Sequence, residues 1–161
     1  MTNNTQSIAN LQTALAMELT AVHQYLLHAH TLEDWGLDKM AGKMREELQE
    51  ELGHASAFID RIMFLGGDPR VEAAKTPKRA ATLKSMFESD LAEEKGAVAF
   101  YTEAAEAAMK DSDIGSRTLF ERILLDEEGH TAWLELQLDL LERMGEPAYI
   151  ARHMSAPGDG G

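Results

Sequence analysis

Apolar residues recur every three or four positions in four long segments of the chain, which is the spacing of an amphipathic helix. The segments span about residues 5–33, 37–65, 81–109 and 116–144. In the second segment the apolar arc consists of Met40, Met44, Leu48, Ala55, Ile59 and Met63. No stretch alternates with period two over a convincing length. The pattern predicts an all-α protein.

The connections between these segments predict how the helices are arranged. Asp34-Trp35-Gly36 and Asp111-Ser112-Asp113-Ile114-Gly115 are short turns, so each joins two antiparallel neighbours. Gly66-Gly67-Asp68-Pro69 ends the second segment, and the stretch from Arg70 to about Ala80 is long enough to run the length of a bundle, which makes the second and third helices parallel. This connectivity predicts a ferritin-like four-helix bundle with a long crossover.

Residues 1–161 are predicted to form a single domain, a chain length that suffices for a full core. Gly145-Glu146-Pro147 is expected to end the fourth helix, because glycine and proline terminate helices. A short fifth helix is predicted at about 148–154.

Glutamates interrupt the apolar stripe of all four long helices, and two of them are followed three residues later by histidine. The set repeats with an offset of 76 residues, from 18 to 94, from 51 to 127 and from 54 to 130. On a helix, positions three apart lie on one face. The repeated set consists of Glu18, Glu51, His54, Glu94, Glu127 and His130.

Four buried carboxylates in one core need compensating charge, because an unpaired one costs several kcal/mol. Two divalent cations would cancel four carboxylates, with two neutral imidazoles as further ligands. Carboxylate and imidazole without sulfur favour iron or manganese over structural zinc. The predicted set, that of di-iron bundle proteins, is Glu18 and His54 for one ion, Glu94 and His130 for the other, and Glu51 and Glu127 bridging.

Tyr25 and Tyr101 also lie 76 residues apart, each seven residues after a stripe glutamate. They are candidates for hydrogen bonds to the ligating carboxylates, outside the ligand set itself. An ordinary role in the aromatic core is the alternative, and the two are compatible.

The composition narrows the classes of partner. The chain has 28 acidic and 15 basic residues, a net charge of −13, which disfavours nucleic acid and anionic membranes and attracts cations, although solubility alone also explains it. It has no cysteine, which excludes disulfides, zinc ribbons and thiol chemistry. The polar N-terminus lacks a signal pattern and no apolar run could span a bilayer, so a cytoplasmic location is predicted.

Several motifs resemble those of the bacterioferritins. They are Gln24-Tyr25 and His28 after Glu18, Asp34-Trp35-Gly36-Leu37, Glu51 with His54, Ser89-Asp90-Leu91-Ala92 before Glu94, Asp126-Glu127-Glu128-Gly129-His130, and Trp133. The resemblance implies a hollow homo-oligomeric shell of 24 subunits that stores iron as a ferric mineral. It also implies ferroxidase activity, in which Fe(II) is oxidised by O2 or H2O2 at a di-iron centre inside each subunit.

Two positions depart from the family pattern. Bacterioferritins bind haem b between two subunits through a methionine that corresponds to Leu52, and leucine has no donor atom. We therefore expect a shell of this chain alone to lack bis-methionine haem, and to resemble a subunit type that co-assembles with a methionine-bearing partner. Glu46 and Glu50 are weaker candidates for iron ligands on the inner surface, since exposed glutamates are commonly only solvated.

Three alternative functions fit the sequence less well. A rubrerythrin-like di-iron oxidase or peroxidase would act without storage, but such proteins usually add a cysteine-rich module. A mini-ferritin that protects DNA places its metal site between subunits and needs no second Glu-x-x-His copy in one chain. A passive helical bundle would need lysines or arginines to pair with its core carboxylates, and the stripes contain few of either.

Overall fold

The structure is a computed structural model that describes residues 4–155. Residues 1–3 of the polar N-terminus and the C-terminal residues 156–161 lie outside the described part. The elements are five helices: α1 (Thr5–Asp34), α2 (Asp38–Phe64), α3 (Leu83–Lys110), α4 (Ile114–Met144) and α5 (Glu146–Arg152). The described residues contain no strand, and the predicted fold class is confirmed.

Two apolar clusters fill the bundle, with a polar layer between them. α1 packs along α2, and α3 packs along α4. One cluster contains Leu15, Phe58 and Phe120, and the other contains Met44 and Phe87. The stripe glutamates and histidines fall in the sequence between the residues of these clusters on each helix, so apolar packing above and below holds the polar layer in place.

The crossover between α2 and α3 is hydrogen-bonded to a polar stripe on α1. The side chain of Gln12 donates to the Arg70 carbonyl and accepts from the Arg70 amide, each at 2.8 Å. Further along, Gln24 makes the same pair of bonds with Lys78, at 2.9 and 3.1 Å. Between them Thr20 Oγ1 accepts from the Ala74 amide at 2.9 Å. These contacts satisfy the peptide groups of a segment without regular structure.

The helix ends differ slightly from the predicted bounds for local reasons. α3 begins two residues later because Thr82 caps it, accepting from the Ser85 amide in a capping box. Pro147 lies in the first turn of α5, where its missing N–H is no loss, so this helix begins at Glu146. The prediction that Met63 belongs to the apolar arc is wrong, since its side chain is 58% exposed; at that end of α2 Ile62 is buried instead.

Gly115 makes room for an arginine that ties α2 to the start of α4. The Arg61 guanidinium donates to Asp113 at 2.5 Å and to Ser116 at 3.0 Å, and a Cβ on Gly115 would lie 2.5 Å from it. We expect Gly115→Ala to displace Arg61 and lower the free energy of unfolding by about 1–3 kcal/mol, since Asp113 is buried. Chemical denaturation measures the change.

Gly96→Ala is the matched control for this substitution. It is an exposed position in the interior of α3 with open space around it. There the same change should leave the protein as stable or raise its free energy of unfolding by up to about 1 kcal/mol. Equal effects of the two substitutions would contradict the assigned role of Gly115.

Candidate metal centre

The six predicted ligand residues converge in the polar layer, and each of the four long helices supplies at least one. α1 contributes Glu18 and α3 contributes Glu94, while α2 and α4 each contribute a Glu-x-x-His pair. Their exposed fractions lie between 1% and 8%. Buried carboxylates of this kind require hydrogen bonds, counter-charges or a cation.

Their ligand atoms form two groups of four that share two members. One group is Glu18, Glu51, His54 and Glu127, and the other is Glu51, Glu94, Glu127 and His130. Within each group one ligand atom from every residue lies within 4.8 Å of the others. The two groups could hold two neighbouring cations, and Glu51 and Glu127 are the members that they share.

Glu51 and Glu127 each direct one oxygen to each histidine. Glu51 Oε2 lies 3.2 Å from His54 Nδ1, and Glu51 Oε1 lies 3.2 Å from His130 Nδ1. Glu127 Oε1 lies 3.0 Å from His54 Nδ1, and its Oε2 lies 3.4 Å from His130 Nδ1. The two carboxylates therefore occupy equivalent positions between the histidines, as bridging ligands would.

Several oxygen and nitrogen atoms at the centre have no hydrogen-bond partner in the described part of the chain, as expected of atoms that bind a metal ion. Glu51 Oε1, Glu127 Oε1 and His130 Nδ1 are buried and make no hydrogen bond within residues 4–155. Such atoms are rare in native cores because each leaves a desolvation cost uncompensated. Hard carboxylate oxygens with imidazole nitrogens suit iron or manganese, and a divalent cation in each of the two groups would satisfy these three atoms.

Without metal, protons supply the missing positive charge. Burial raises the pKa of Glu94 to about 8, and the neighbouring Glu127 carboxylate adds to the shift. Burial, and then the Glu18 carboxylate, also raise the pKa of Glu51. Burial alone would lower the pKa values of His54 and His130, but the carboxylates around them outweigh it and raise both. Metal binding must therefore displace protons from the centre.

The two tyrosines contact the carboxylates crosswise. Tyr25 Oη donates to Glu94 Oε1 at 2.7 Å, and Tyr101 Oη donates to Glu18 Oε1. Each tyrosine thus orients the glutamate of the other helix. Burial, with the charge of the partner carboxylate, raises the pKa values of both phenols, so they remain donors at neutral pH.

Known proteins are similar to this chain in sequence and in fold over nearly its whole length. The family model of the ferritin-like domain matches residues 8–144. The bacterioferritin of Rhodobacter capsulatus is 42% identical over 159 residues, which cover 99% of this chain and 98% of that protein. The bacterioferritin of Brucella melitensis is 43% identical over 152 residues, 94% of each chain.

A crystal structure of the Rhodobacter capsulatus protein superposes with a TM-score of 0.94 at 40% identity and covers 100% of both chains. The chain belongs to the bacterioferritin family. The function of this family is iron storage with Fe(II) oxidation. The Rhodobacter structure is described as having a metal-free dinuclear site and haem iron in a crystallographic special position.

Two carboxylates that lie beside the histidines of the centre were not among the site residues predicted from the sequence. Asp126 Oδ2 lies 2.9 Å from His54 Nε2, and Glu47 Oε2 lies 2.8 Å from His130 Nε2. Glu47 follows the helical spacing of Glu51 and is 5% exposed. Asp126 is the counterpart of Glu50 under the 76-residue offset. The helical spacing of Glu47 and the repeat position of Asp126 could therefore have identified both residues from the sequence.

The inner-surface candidates behave differently from each other. Glu50 is half-exposed, and its Oε2 lies 2.9 Å from His130 Nε2, so it belongs to the edge of the centre. Glu46 is exposed and joins no group of potential metal ligands in the described part of the chain. With Glu47 and His130, Glu50 forms a smaller third group.

Leu52 does not fit the haem ligation that the resemblance implies. Its side chain is 38% exposed on α2 and offers only carbon atoms. The other methionines of α2 do not replace it: Met40 and Met44 are buried in the core, and Met63, although exposed, lies eleven residues away, about three turns along the helix. Within residues 4–155 no helix has the length and apolar character needed to cross a bilayer.

Proposed function

We propose that this bacterioferritin oxidises Fe(II) at the paired site within each subunit, with O2 or H2O2 as oxidant, and stores the ferric product in a shell of 24 copies in the cytoplasm. The observation that carries the proposal is the pair of four-residue groups that share Glu51 and Glu127. Two Fe(II) ions bound there are close enough to give two electrons to one oxidant molecule.

The residues of the centre would exchange protons for iron and would balance the charge of the bound iron. Binding of iron removes protons from the histidines and from Glu94, so that each position holds an imidazole and carboxylates in their ligating forms. The negative carboxylates favour the ferric pair over the ferrous pair, since the higher metal charge interacts more strongly with them. Tyr25 and Tyr101 keep Glu94 and Glu18 oriented as the charge changes.

The test combines particle size with iron content. We expect size-exclusion chromatography of the purified chain to give a particle of several hundred kilodaltons that retains many irons per subunit after aerobic loading. A small oligomer that retains two irons per subunit would favour the rubrerythrin-like oxidase. Failure to oxidise Fe(II) at all would favour the passive bundle.

The α2 and α4 side of the centre is the proposed route of ferric iron into the shell cavity. Glu50 and Asp126 are 42% and 44% exposed, and each lies 2.9 Å from Nε2 of a site histidine. Their carboxylates, which are good ligands for iron, connect the buried centre to solvent. Glu46, one turn before Glu50 on the exposed side of α2, extends this acidic surface.

We expect homopolymers of this chain to lack bis-methionine haem, because Leu52 supplies no ligand. Reconstitution with haem followed by absorption spectroscopy measures this. Leu52→Met should gain a sharp Soret band with the bis-methionine signature, whereas Leu52→Ile, an apolar control, should not. The same band in the unaltered homopolymer would contradict the expectation and the need for a haem-binding partner subunit.

A further inference from the structure

The two halves of the site are related by the 76-residue offset in their ligands but not in what surrounds them. The offset pairs Asp90 with Ala14 and His28 with Ala104. Ala14 and Ala104 are buried in the apolar cluster next to the Glu18 half. Beside the Glu94 half the corresponding positions hold a buried aspartate and a buried histidine, 4% and 1% exposed.

This polar pair has a defined geometry. His28 Nε2 donates to Asp90 Oδ1 at 2.8 Å, and the Gln24 amide lies 3.4 Å from His28 Nδ1. Because Nδ1 accepts from an amide, the hydrogen of the imidazole is placed on Nε2, facing Asp90. His28 therefore holds the aspartate in one orientation.

The second carboxylate oxygen of Asp90 has no partner among the described residues that explains its burial. Asp90 Oδ2 is buried and makes no hydrogen bond within residues 4–155. Asp90 lies one helical turn before Glu94 on α3, and both line a cavity of about 300 Å³. Removing a carboxylate from water without a second partner costs free energy, so its retention calls for a functional reason.

The cavity leads from the centre toward the crossover. Its walls include the ligands Glu18, Glu51, Glu94 and Glu127, and its outer part includes Gln24, Lys75 and Lys78. The charged and titratable groups that act on Asp90 here are Tyr25 and His28 from α1 and Glu93 and Glu94 from α3, while the two crossover lysines line the same cavity. A polar cavity of this volume has room for several water molecules.

Turnover of iron releases protons, and those lost by water that binds at the ferric pair must leave this buried centre. Two Fe(II) give one electron each to O2, which with two protons becomes H2O2. The four water molecules that enter two FeO(OH) units lose six protons, so four protons remain for release. On the Glu18 half the positions that correspond to Asp90 and His28 are alanines, so this pair of an aspartate and a histidine has no counterpart there.

We propose that Asp90 accepts these protons at Oδ2 and passes them to cavity water, and that His28 is the residue that positions it. The inference rests on the proposed ferroxidase function. Burial raises the pKa of Asp90, which brings an aspartate closer to the range in which proton transfer is efficient. The centre thus has an outer exit for protons on the crossover side, distinct from the α2 and α4 side.

Asp90→Asn tests the proposal, because asparagine keeps the shape and the acceptor for His28 but cannot take up a proton. We expect the initial rate of Fe(II) oxidation to fall at least about tenfold, within the range for loss of an acid–base group. The solvent deuterium isotope effect on that rate should increase. Spectroscopic titration with Co(II) should give the same number of bound ions per subunit as the unaltered protein.

Glu88→Gln is the control, since it removes one carboxylate from the exposed face of the same helix. A second pair of variants addresses His28 and serves if Asp90→Asn does not assemble. His28→Leu should slow oxidation because Asp90 loses its donor, and His28→Gln, which restores a donor, should recover most of the rate.

A rate for Asp90→Asn within twofold of the unaltered protein would overturn the proposal, and so would equal rates for the two His28 variants. A parallel loss of Co(II) binding would also overturn it, since Asp90 would then shape the ligands. An unaltered protein that fails to oxidise Fe(II) would instead overturn the ferroxidase function on which the proposal rests.

Discussion

Glu127→Gln should lower the initial rate of Fe(II) oxidation by at least about a hundredfold. The carboxylate directs one oxygen to each site histidine, at 3.0 and 3.4 Å, and belongs to both four-residue groups. Losing its charge removes a ligand from both positions together, so the effect should exceed the ten- to hundredfold losses typical of residues outside the ligand set. Stopped-flow absorbance of the ferric product measures the rate.

Glu128→Gln is the neighbouring control, because Glu128 is exposed and belongs to neither group. Its oxidation rate should stay within twofold of the unaltered protein. Co(II) titration should show fewer than two ions per subunit for Glu127→Gln and no change for Glu128→Gln. Two ions and an unaltered rate in Glu127→Gln would remove Glu127 from the assigned ligands. Glu18→Ala and His130→Ala should likewise lose fast oxidation while the shell still assembles.

The internal repeat explains why the sequence could predict which residues converge in the polar layer. A carboxylate within an apolar stripe is unusual, and the same offset relates Glu18 to Glu94 and His54 to His130. The helical period then fixes which face each residue takes. The partners of the tyrosines could be identified only from the structure. Sequence spacing relates Tyr25 to Glu18 on its own helix, whereas its hydroxyl donates to Glu94 on α3.

The polar surroundings of the centre were harder to predict for a physical reason. Residues such as Glu47 and Asp90 interact with groups on other helices, so their roles depend on rotation and distance between helices, which periodicity does not determine. The hydrogen bonds of the crossover were unpredictable for the same reason. Successive residues of the set Gln12, Thr20 and Gln24 are eight and four positions apart, but that spacing does not identify Arg70, Ala74 and Lys78 as their partners.

The difference between the two halves alters the interpretation of the repeat. A site with equivalent ligands would have two equivalent iron positions if its surroundings were also repeated. Instead Glu47 corresponds to Ile123 and Asp90 to Ala14, so the extra polar groups surround the Glu94 half on both sides. Exchange of protons with cavity water is therefore expected to occur mainly through that half, whereas the exposed carboxylates on the α2 and α4 side contact the histidines of both halves.

The metal-free protein should become less stable as the pH rises from about 5 to 8. In the folded state the pKa of Glu94 is raised from 4.5 to about 8, so between these values the folded chain holds a proton that the unfolded chain has lost. Stability falls with pH wherever the folded state binds more protons. The raised pKa values of His54 and His130 act in the same direction above about 6.5.

The thermal midpoint followed by circular dichroism with a chelator present should therefore fall by on the order of 10 °C between pH 5 and pH 8, since several kcal/mol are involved. Glu94→Gln should flatten this dependence, because glutamine has no proton to lose, and the exposed Glu88→Gln should leave it unchanged. A midpoint of the chelated protein that rises over this interval would contradict the assigned protonation of the centre.

Metal should reverse the trend, because cations replace the same protons. Ligands that must lose protons bind metal more tightly as the pH rises, and a ligand present at a thousand times its Kd stabilises the folded state by about 4 kcal/mol. The gain in midpoint on adding Co(II) should therefore be larger at pH 8 than at pH 5. An equal gain at both values would mean that protons and metal do not compete for Glu94, His54 and His130.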